Sequence, residues 1–187
     1  MHPADTPRAA LVLGHGAGGG VTAPDLVEAT ETALAAGVTV ALVEQPYRVA
    51  GRRSPPRAPV LDAAWIAVVG QLRAGPLNGL PLIAGGRSSG ARVACRTAGE
   101  TGAIAVLCLA FPLQPPGGRP SRQPELDGVG VPVLVVQGLS DSFGMPEPAP
   151  GRTVARLRGT HALRSDAAGL RAAVGDWLQA VMPPRSA

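Results

Sequence analysis

Lysine is absent from this chain of 187 residues, so all 17 of its Lys and Arg positions are arginine. A lysine-free chain rich in Ala, Arg, Gly and Pro is typical of a GC-rich genome, and we attribute the formal net charge of +4 to composition. Aromatic side chains make up only 3% of the residues, and no basic run is interleaved with them. Because nucleic-acid sites combine basic patches with stacking aromatics, we expect no nucleic-acid partner. The core must be built from Ala, Val and Leu.

Cysteine and long apolar runs are also scarce. The two cysteines, Cys95 and Cys108, lack the spacing of a zinc site, so we interpret them as buried thiols and expect no metal or other cofactor. The apolar run at 9–13 is too short for a signal peptide, and no stretch could cross a bilayer. We therefore expect a reduced, cytoplasmic protein without membrane association. The length predicts one domain over 1–187 with a loose N-terminus at 1–8, and the oligomeric state stays open.

Short apolar runs alternate with helical patterns along the chain. Six runs predict strands buried on both faces, at 9–13, 38–43, 80–84, 103–110, 131–136 and 152–157. Four helical patterns are present. The first follows Thr22, the expected N-cap, with Asp25 at the third helical position, and the second spans 61–72. The third follows the third strand and ends near 98, and the last begins at 165. The four prolines in 44–59 predict irregular structure there. This alternation predicts the α/β class, with about six mostly parallel strands and helices on both faces.

The third predicted strand runs into the pattern Gly86-x-Ser88-x-Gly90 and then into a helix. This arrangement is that of a nucleophile elbow, in which a serine sits on a tight strand-to-helix turn. Glycines on both sides allow the strand and helix backbones to approach closely. The helix start directs its first N–H groups toward an oxyanion beside Ser88, and Ser89 supplies one of them. The alternative is a glycine-rich βα turn without a catalytic role.

A serine nucleophile needs a base, and the chain has three histidines. His2 lies in the N-terminus and His15 in a glycine-rich loop before the elbow, whereas His161 follows the last strand. His161 is thus the predicted base, because it comes after both serine and acid in chain order. The predicted acid is Asp141, directly after the fifth strand, with Glu147 in reserve on the same loop.

The glycine-rich loop after the first strand offers a second oxyanion donor. We favour the backbone N–H of Ala17, with Gly16 next, as the partner of the Ser89 N–H. A rival interpretation takes Gly14, Gly16 and Gly19 as a dinucleotide-binding GxGxxG motif with Glu44 downstream. That interpretation leaves the later order of Ser, Asp and His without explanation.

Seven segments together resemble the α/β-hydrolase superfamily, and more narrowly its small KANL3/Tex30-like, dienelactone-hydrolase-related branch. They are GHGAGG at 14–19, EQPY at 44–47, RRSPP at 52–56, GGRSSG at 85–90, FPLQPPG at 111–117, QGLSDSFG at 137–144 and GTHAL at 159–163. The resemblance implies a six-stranded sheet without the first two strands of larger hydrolases, and serine-hydrolase machinery on Ser88, Asp141 and His161. The chain departs from the branch in having Ser89-Gly90 for Met-Gly, and Asp141-Ser142 for Asp-Pro.

The expected activity is hydrolysis of a small ester or thioester through an acyl-enzyme. Residues 111–130 are too short and too rich in proline for a helical lid, so we expect an open, shallow site. Residues expected at its rim as substrate contacts are Tyr47, Arg48, Arg52, Arg53 and Arg87. For the arginines the alternative is solvation, or an ion pair such as Arg87 with Glu44. The alternative for the whole chain is a catalytically idle hydrolase fold that acts as a binding or assembly module.

Overall fold

The computed structural model describes residues 1–184, and a six-stranded sheet with helices on both faces forms its centre. Its elements are β1 (Ala9–Gly14), α1 (Pro24–Ala35), β2 (Val38–Val43), α2 (Pro46–Val49), α3 (Ala58–Ala74), β3 (Leu82–Arg87), α4 (Ser89–Thr101), β4 (Ala105–Leu109), α5 (Gln123–Asp127), β5 (Val133–Gly138), β6 (Arg152–Leu157) and α6 (Ala167–Val181). The strand order is β2-β1-β3-β4-β5-β6, and every neighbouring pair is parallel. The predicted α/β architecture is therefore confirmed.

The core lies in two layers, one on each side of the sheet. α3, α4 and α5 cover one face, and α1 and α6 cover the other. Each layer is built from Ala, Val and Leu around a single tryptophan, Trp65 in one and Trp177 in the other. Trp65 is 1% exposed, and its ring packs beside Gly14 at the end of β1. Burial of such large apolar side chains stabilises the fold by about 1.5–3 kcal/mol each.

Several boundaries differ from the sequence expectations. β3 continues to Arg87 instead of ending at 84, so Gly85 is a strand residue. A Cβ on Gly85 would lie 2.7 Å from the carbonyl oxygen of Leu107, so glycine allows the neighbouring strand to approach closely. The segment 44–59, predicted to be irregular, contains α2 and the start of α3, since prolines fit the first turn of a helix. The N-cap of α1 is Ala23, not Thr22, and Asp25 is its second residue.

Residues 1–8 lie along β2, where the sequence predicted a loose end. His2 and Val40 exchange backbone hydrogen bonds of 2.8 Å, and Arg8 N–H donates to the carbonyl of Gly37. The Ala4 N–H donates to the hydroxyl of Thr39 at 3.1 Å. These contacts cover one edge of the sheet.

No helical lid covers the carboxyl ends of the strands in the described part of the chain. Between β4 and β5 only the five-residue helix α5 forms. The carboxyl edge of the sheet is the edge at which the loops after β1, β2, β3, β5 and β6 meet. Among residues 1–184, none of the helices has the length and apolar character needed to cross a membrane.

Candidate active site

Ser88 lies at the turn between β3 and α4 with a left-handed backbone, φ 51°. A positive φ is costly for a residue with a side chain, and such strain is typical of functional positions. The flanking glycines make the turn sterically feasible. A Cβ on Gly86 would lie 2.6 Å from the carbonyl oxygen of Gly14, and one on Gly90 would overlap that same oxygen. The predicted strand–turn–helix context of the GxSxG motif is confirmed.

Ser88, His161 and Asp141 form a continuous chain of hydrogen-bonded side chains. His161 Nε2 lies 3.0 Å from Ser88 Oγ, and His161 Nδ1 lies 2.8 Å from Asp141 Oδ2. Because a carboxylate only accepts, Nδ1 carries the ring proton and Nε2 is free to accept from the serine hydroxyl. The Phe143 ring packs on the imidazole, with centroids 4.6 Å apart. This arrangement is compatible with a nucleophile, a base and an orienting acid.

Two neighbouring loops at the carboxyl edge bring the acid and the histidine together. Asp141 follows β5 and His161 follows β6, and the two segments are joined by backbone bonds from Leu139 N–H to Leu157 and from Ser140 N–H to Gly159. The Asp141 side chain is inaccessible to solvent, whereas the reserve candidate Glu147 has a side chain that is 78% exposed and faces Arg156. The structure thus places Asp141, and not Glu147, against the histidine.

His15 has a structural environment that sets it apart from a general base. Its ring is 1% exposed, its Nε2 accepts from the Gln45 N–H at 3.0 Å, and its Nδ1 lies 2.8 Å from the carbonyl oxygen of Gly16. The Nδ1–H therefore donates to that carbonyl. Tyr47 acts in the same way on the next residue, since its hydroxyl donates to the carbonyl of Ala17 at 3.0 Å. Burial raises the Tyr47 pKa, against a smaller lowering by Arg48, so the phenol keeps its proton.

The loop held by His15 and Tyr47 packs against the elbow. A Cβ on Gly16 would lie 2.9 Å from an Arg87 nitrogen and in ordinary contact with Ser88 Cβ at 3.4 Å, so a side chain there would displace the Arg87 guanidinium. The Ala17 N–H makes no hydrogen bond within residues 1–184. The loop is also not a dinucleotide turn. GxGxxG requires a helix to open at its glycines, and α1 begins at Pro24, well after Gly19.

Arg87 forms an ion pair with Asp25, whereas the partner given as an example from the sequence was Glu44. Its Nε lies 2.8 Å from Asp25 Oδ2, and its terminal nitrogen donates to the carbonyl oxygen of His161 at 3.1 Å. The Asp25 side chain is inaccessible to solvent, and its other oxygen accepts from the Leu26 N–H at 3.0 Å. Arg87 therefore connects the start of α1 to the loop that carries His161.

Burial of the Asp25 carboxylate makes the stability of the protein depend on pH. Desolvation raises the Asp25 pKa above its usual 3.8, although the nearby Arg87 guanidinium lowers it. As pH rises, Asp25 ionises first in the unfolded chain. The contribution of Asp25 to stability is therefore complete below pH 3.8 and is lost as pH rises through the raised pKa that Asp25 has in the folded state. We expect the free energy of unfolding of the wild type, relative to Asp25→Asn, to fall over that window. Urea titrations of both proteins at a series of pH values measure it. A difference that grows with pH would contradict this, and would mean that Arg87 outweighs burial.

The other predicted rim residues lie on the segment between β2 and α3. Arg52 and Arg53 are exposed, Arg48 is half-buried, and none of the three forms an ion pair within the described residues. Arg52 borders an apolar cavity of about 290 Å³ together with Tyr47, Ala50 and Val60. Exposure thus leaves Arg52 and Arg53 available to a ligand, whereas Arg87 and Tyr47 are engaged within the protein.

Cys95 and Cys108 are buried thiols, as predicted. Their sulfur atoms lie 3.4 Å apart between α4 and β4. The hydrogen bond that Cys108 shares with Cys95, together with burial, raises the pKa of Cys108 well above its usual value, so the thiolate is disfavoured. Neither sulfur is part of the Ser88 site.

Asp25, Phe143 and the two loop contacts of His15 were missed by the sequence reasoning. Asp25 resembles an ordinary first-turn acid of an amphipathic helix, and only the fold shows that it is buried against Arg87. Phe143 lies in the same QGLSDSFG segment as the predicted acid, and its N–H donates to Asp141 Oδ1 at 2.9 Å. A rare aromatic two residues after the acid is a signal that could have been used.

Comparisons with known proteins agree with this architecture. A protein-family profile described as "Alpha/beta hydrolase domain" matches residues 7–164, so the chain belongs to the α/β-hydrolase superfamily. Among solved structures, the chain is similar to XC6422 from Xanthomonas campestris, described as an α/β serine hydrolase without lid, with 20% identity, a TM-score of 0.80, and coverage of 98% of this chain and 86% of that one. No curated protein matches the sequence.

Two further structures show the same fold at similar distance. Dienelactone hydrolase from Anabaena variabilis is 15% identical with a TM-score of 0.72, over 97% of this chain and 90% of its own. The Pyrococcus furiosus esterase Pf2001 is 15% identical with a TM-score of 0.77, over 95% of this chain and 82% of its own. At these identities the likeness shows a shared α/β-hydrolase fold.

Proposed function

We propose that this chain is a serine hydrolase that cleaves a small ester or thioester through Ser88, His161 and Asp141. The observation that carries the proposal is the hydrogen-bonded chain from Ser88 Oγ through the imidazole to Asp141, with spacings of 3.0 and 2.8 Å. A positive-φ serine at the start of a helix, on a superfamily fold whose solved relatives include esterases, supports it. The narrower KANL3/Tex30-like affiliation is part of the same proposal.

In the proposed reaction, Ser88 Oγ attacks the carbonyl carbon while its proton passes to His161 Nε2. Asp141 keeps the ring proton on Nδ1 and stabilises the imidazolium that forms. The imidazolium then gives its proton to the leaving alcohol or thiol, and the C–O or C–S bond breaks. Water, deprotonated by the same Nε2, attacks the acyl-enzyme, and the carboxylic acid leaves Ser88 with its proton restored.

The oxyanion is proposed to bind the backbone N–H groups of Ser89 and Ala17. Ser89 is the first residue of α4, and the first N–H groups of a helix have no acceptor within the helix. The Gly16 and Ala17 carbonyls are held by His15 and Tyr47, so the peptide between them has a fixed orientation. In a trans peptide the N–H points away from the C=O, and the Ala17 N–H is therefore set by the His15 contact. Preorganised donors of this kind are worth about 10²–10³ in kcat each.

The decisive experiment labels the protein with a fluorophosphonate probe, which reacts with activated serines. We expect the wild type and Ser89→Ala to label, because Ser89 contributes only its backbone, and Ser88→Ala not to label. On a panel of short-chain esters and thioesters, we expect Ser88→Ala to lower kcat by more than about 10³-fold. A folded wild type that neither labels nor hydrolyses any panel member contradicts the proposal and favours the binding or assembly module.

The same panel addresses the substrate class. We propose that the exposed Arg52 and Arg53 favour substrates with an anionic group, since neither has an ion-pair partner within residues 1–184. Matched esters with and without a carboxylate on the acyl chain are compared by kcat/KM. Equal values for both esters remove the arginines from the proposal and leave the hydrolase assignment unchanged.

A further inference from the structure

Gln137 is a fully buried polar side chain at the carboxyl end of β5, in a strand that is otherwise apolar until its final glycine. Its amide nitrogen faces three acceptors, at 2.8 Å from Asp141 Oδ2, 2.9 Å from the carbonyl of Gly144 and 3.0 Å from the carbonyl of Phe111. The two amide hydrogens are therefore shared among three oxygens. One contact reaches the acid of the proposed triad directly.

The orientation of this amide follows from its surroundings. All three neighbours accept hydrogen bonds, so only the nitrogen can face them. The Gln137 carbonyl oxygen is then left buried, and it has no hydrogen-bond partner in the described structure. A buried unpaired oxygen is unfavourable for folding. The unpaired oxygen therefore lowers stability locally, while the amide nitrogen donates to its three neighbours. Such a local cost in stability is typical of functional sites.

The three acceptors belong to two separate loops. Phe111 follows β4, whereas Asp141 and Gly144 form a turn after β5, closed by a bond from Gly144 N–H to the Asp141 carbonyl. Gln137 spans this turn and ties it to the neighbouring loop. With the Phe143 N–H on Oδ1 and both Gln137 and His161 on Oδ2, the carboxylate has donors on both oxygens and cannot rotate without losing one.

We propose that Gln137 is a positioning residue, which holds the Asp141 carboxylate in line with His161 Nδ1. It touches neither substrate nor the reacting atoms, and it acts only through Asp141. The proposal rests on the proposed hydrolase function, because its value to catalysis depends on His161 being the base. The Gln137 amide also stabilises the negative charge of Asp141 by a hydrogen bond, without placing a positive charge beside it.

The test replaces Gln137 by Met, which keeps the volume and loses the donors. We expect kcat to fall about 10- to 100-fold with KM within about twofold, by analogy with the effect of losing an outer hydrogen-bonding partner at metal sites. Since the unpaired oxygen also disappears, we expect Tm to stay within about 4 °C of the wild type. The matched control is Gln123→Met, which removes an amide-to-carboxylate contact of 2.7 Å with Asp127 at the exposed surface. The control should leave kcat unchanged.

A second variant, Gln137→Glu, gives a pH signature that a purely structural role does not produce. Two carboxyl groups this close cannot both ionise readily, so at lower pH the introduced group is protonated and can donate to Asp141. We expect the ratio of the kcat of this variant to that of the wild type to fall as pH rises. A ratio independent of pH, or a Gln137→Met variant with wild-type kcat, overturns the proposal. The Glu variant alone decides the question if the Met variant does not fold.

A spectroscopic measurement separates this proposal from the hydrolase assignment. The proton NMR resonance of His161 Nδ1–H, assigned by its loss in His161→Ala, reports the bond to Asp141 without any turnover. We expect this resonance to shift or broaden in Gln137→Met and to stay in place in Gln123→Met. An unchanged resonance in a folded Gln137→Met variant overturns the positioning role, even if kcat falls. A wild type that neither labels nor turns over contradicts the hydrolase function, and the resonance then decides the role of Gln137 alone.

Discussion

Replacement of Asp141 by Ala is expected to lower kcat by about 10⁴-fold with little change in KM. The carboxylate accepts from His161 Nδ1, from the Phe143 N–H and from Gln137, so its loss leaves the His161 and Phe143 donors without this acceptor, while the Gln137 amide keeps its two backbone acceptors. The imidazole is then free to carry its proton on Nε2, where it cannot accept from Ser88. The imidazolium of the transition state also loses the charge that stabilises it. Steady-state kinetics on the best panel ester, normalised to the folded fraction, measure the effect.

Glu147→Ala is the matched control, because sequence reasoning kept Glu147 as the reserve acid on the same loop. Its side chain is 78% exposed and forms an ion pair with Arg156 at 3.5 Å, so we expect kcat within about twofold of the wild type. If Glu147→Ala were inactive and Asp141→Ala active, the acid would have to be reassigned to Glu147. The pair of variants thus decides between the two acids by activity alone.

Replacement of Gly90 by Ala is expected to be the most destabilising single methyl addition at the elbow. The new Cβ would overlap the carbonyl oxygen of Gly14 and lie 2.9 Å from that of His15, and both are backbone atoms that cannot rotate away. Overpacking typically costs 1–3 kcal/mol, and we expect about 3 kcal/mol or more here. Thermal unfolding should show Tm lower by about 10 °C. Separation of α4 from β1 would also move Ser88, so the rate of fluorophosphonate labelling should fall.

Gly99→Ala provides the control in the same helix. Gly99 is exposed, and no atom lies within 4 Å of a Cβ built there. Because alanine favours a helix interior over glycine by about 1 kcal/mol, this variant should raise Tm by a few degrees. A Gly90→Ala protein with the same Tm as the wild type would show that the strand and helix can separate without loss. The steric account of the GxSxG glycines would then be wrong.

The sheet and the site core could be read from the sequence because each depends on local pattern. Apolar runs located the first five strands, whereas β6 is mostly half-exposed or exposed and not buried on both faces as expected. Chain order and its place after the last strand favoured His161 over His15, and the structure places His161 beside Ser88. What local pattern could not supply is which polar groups meet across the sheet. Glu44 was named from the sequence as an example of a partner for Arg87, yet Arg87 pairs with Asp25, which lies at the start of a distant helix. Such pairings depend on three-dimensional packing, which no spacing rule encodes.

The predicted element boundaries were wrong near certain glycines and prolines, because these residues occur in strands and helix starts as well as in turns. Gly85 was interpreted as part of a turn, but it is a strand residue that allows β4 to approach. Pro46 was taken to exclude regular structure, yet it begins α2. Gln137 offered a clearer signal, because a polar residue inside a fully buried strand must find partners at one edge or the other.

The two edges of the sheet are covered to different extents, and this difference affects how the site would come apart during local unfolding. β2 is covered by residues 1–8, whereas β6 is an edge strand whose side chains are mostly half-exposed or exposed. Opening free energies are lowest where few apolar contacts hold an element, so β6 can detach at a lower cost than global unfolding. His161 follows β6, so opening of this strand would carry the proposed base away from Ser88. We therefore expect the site to be lost by opening of β6 before the β1–β3–β4 centre unfolds.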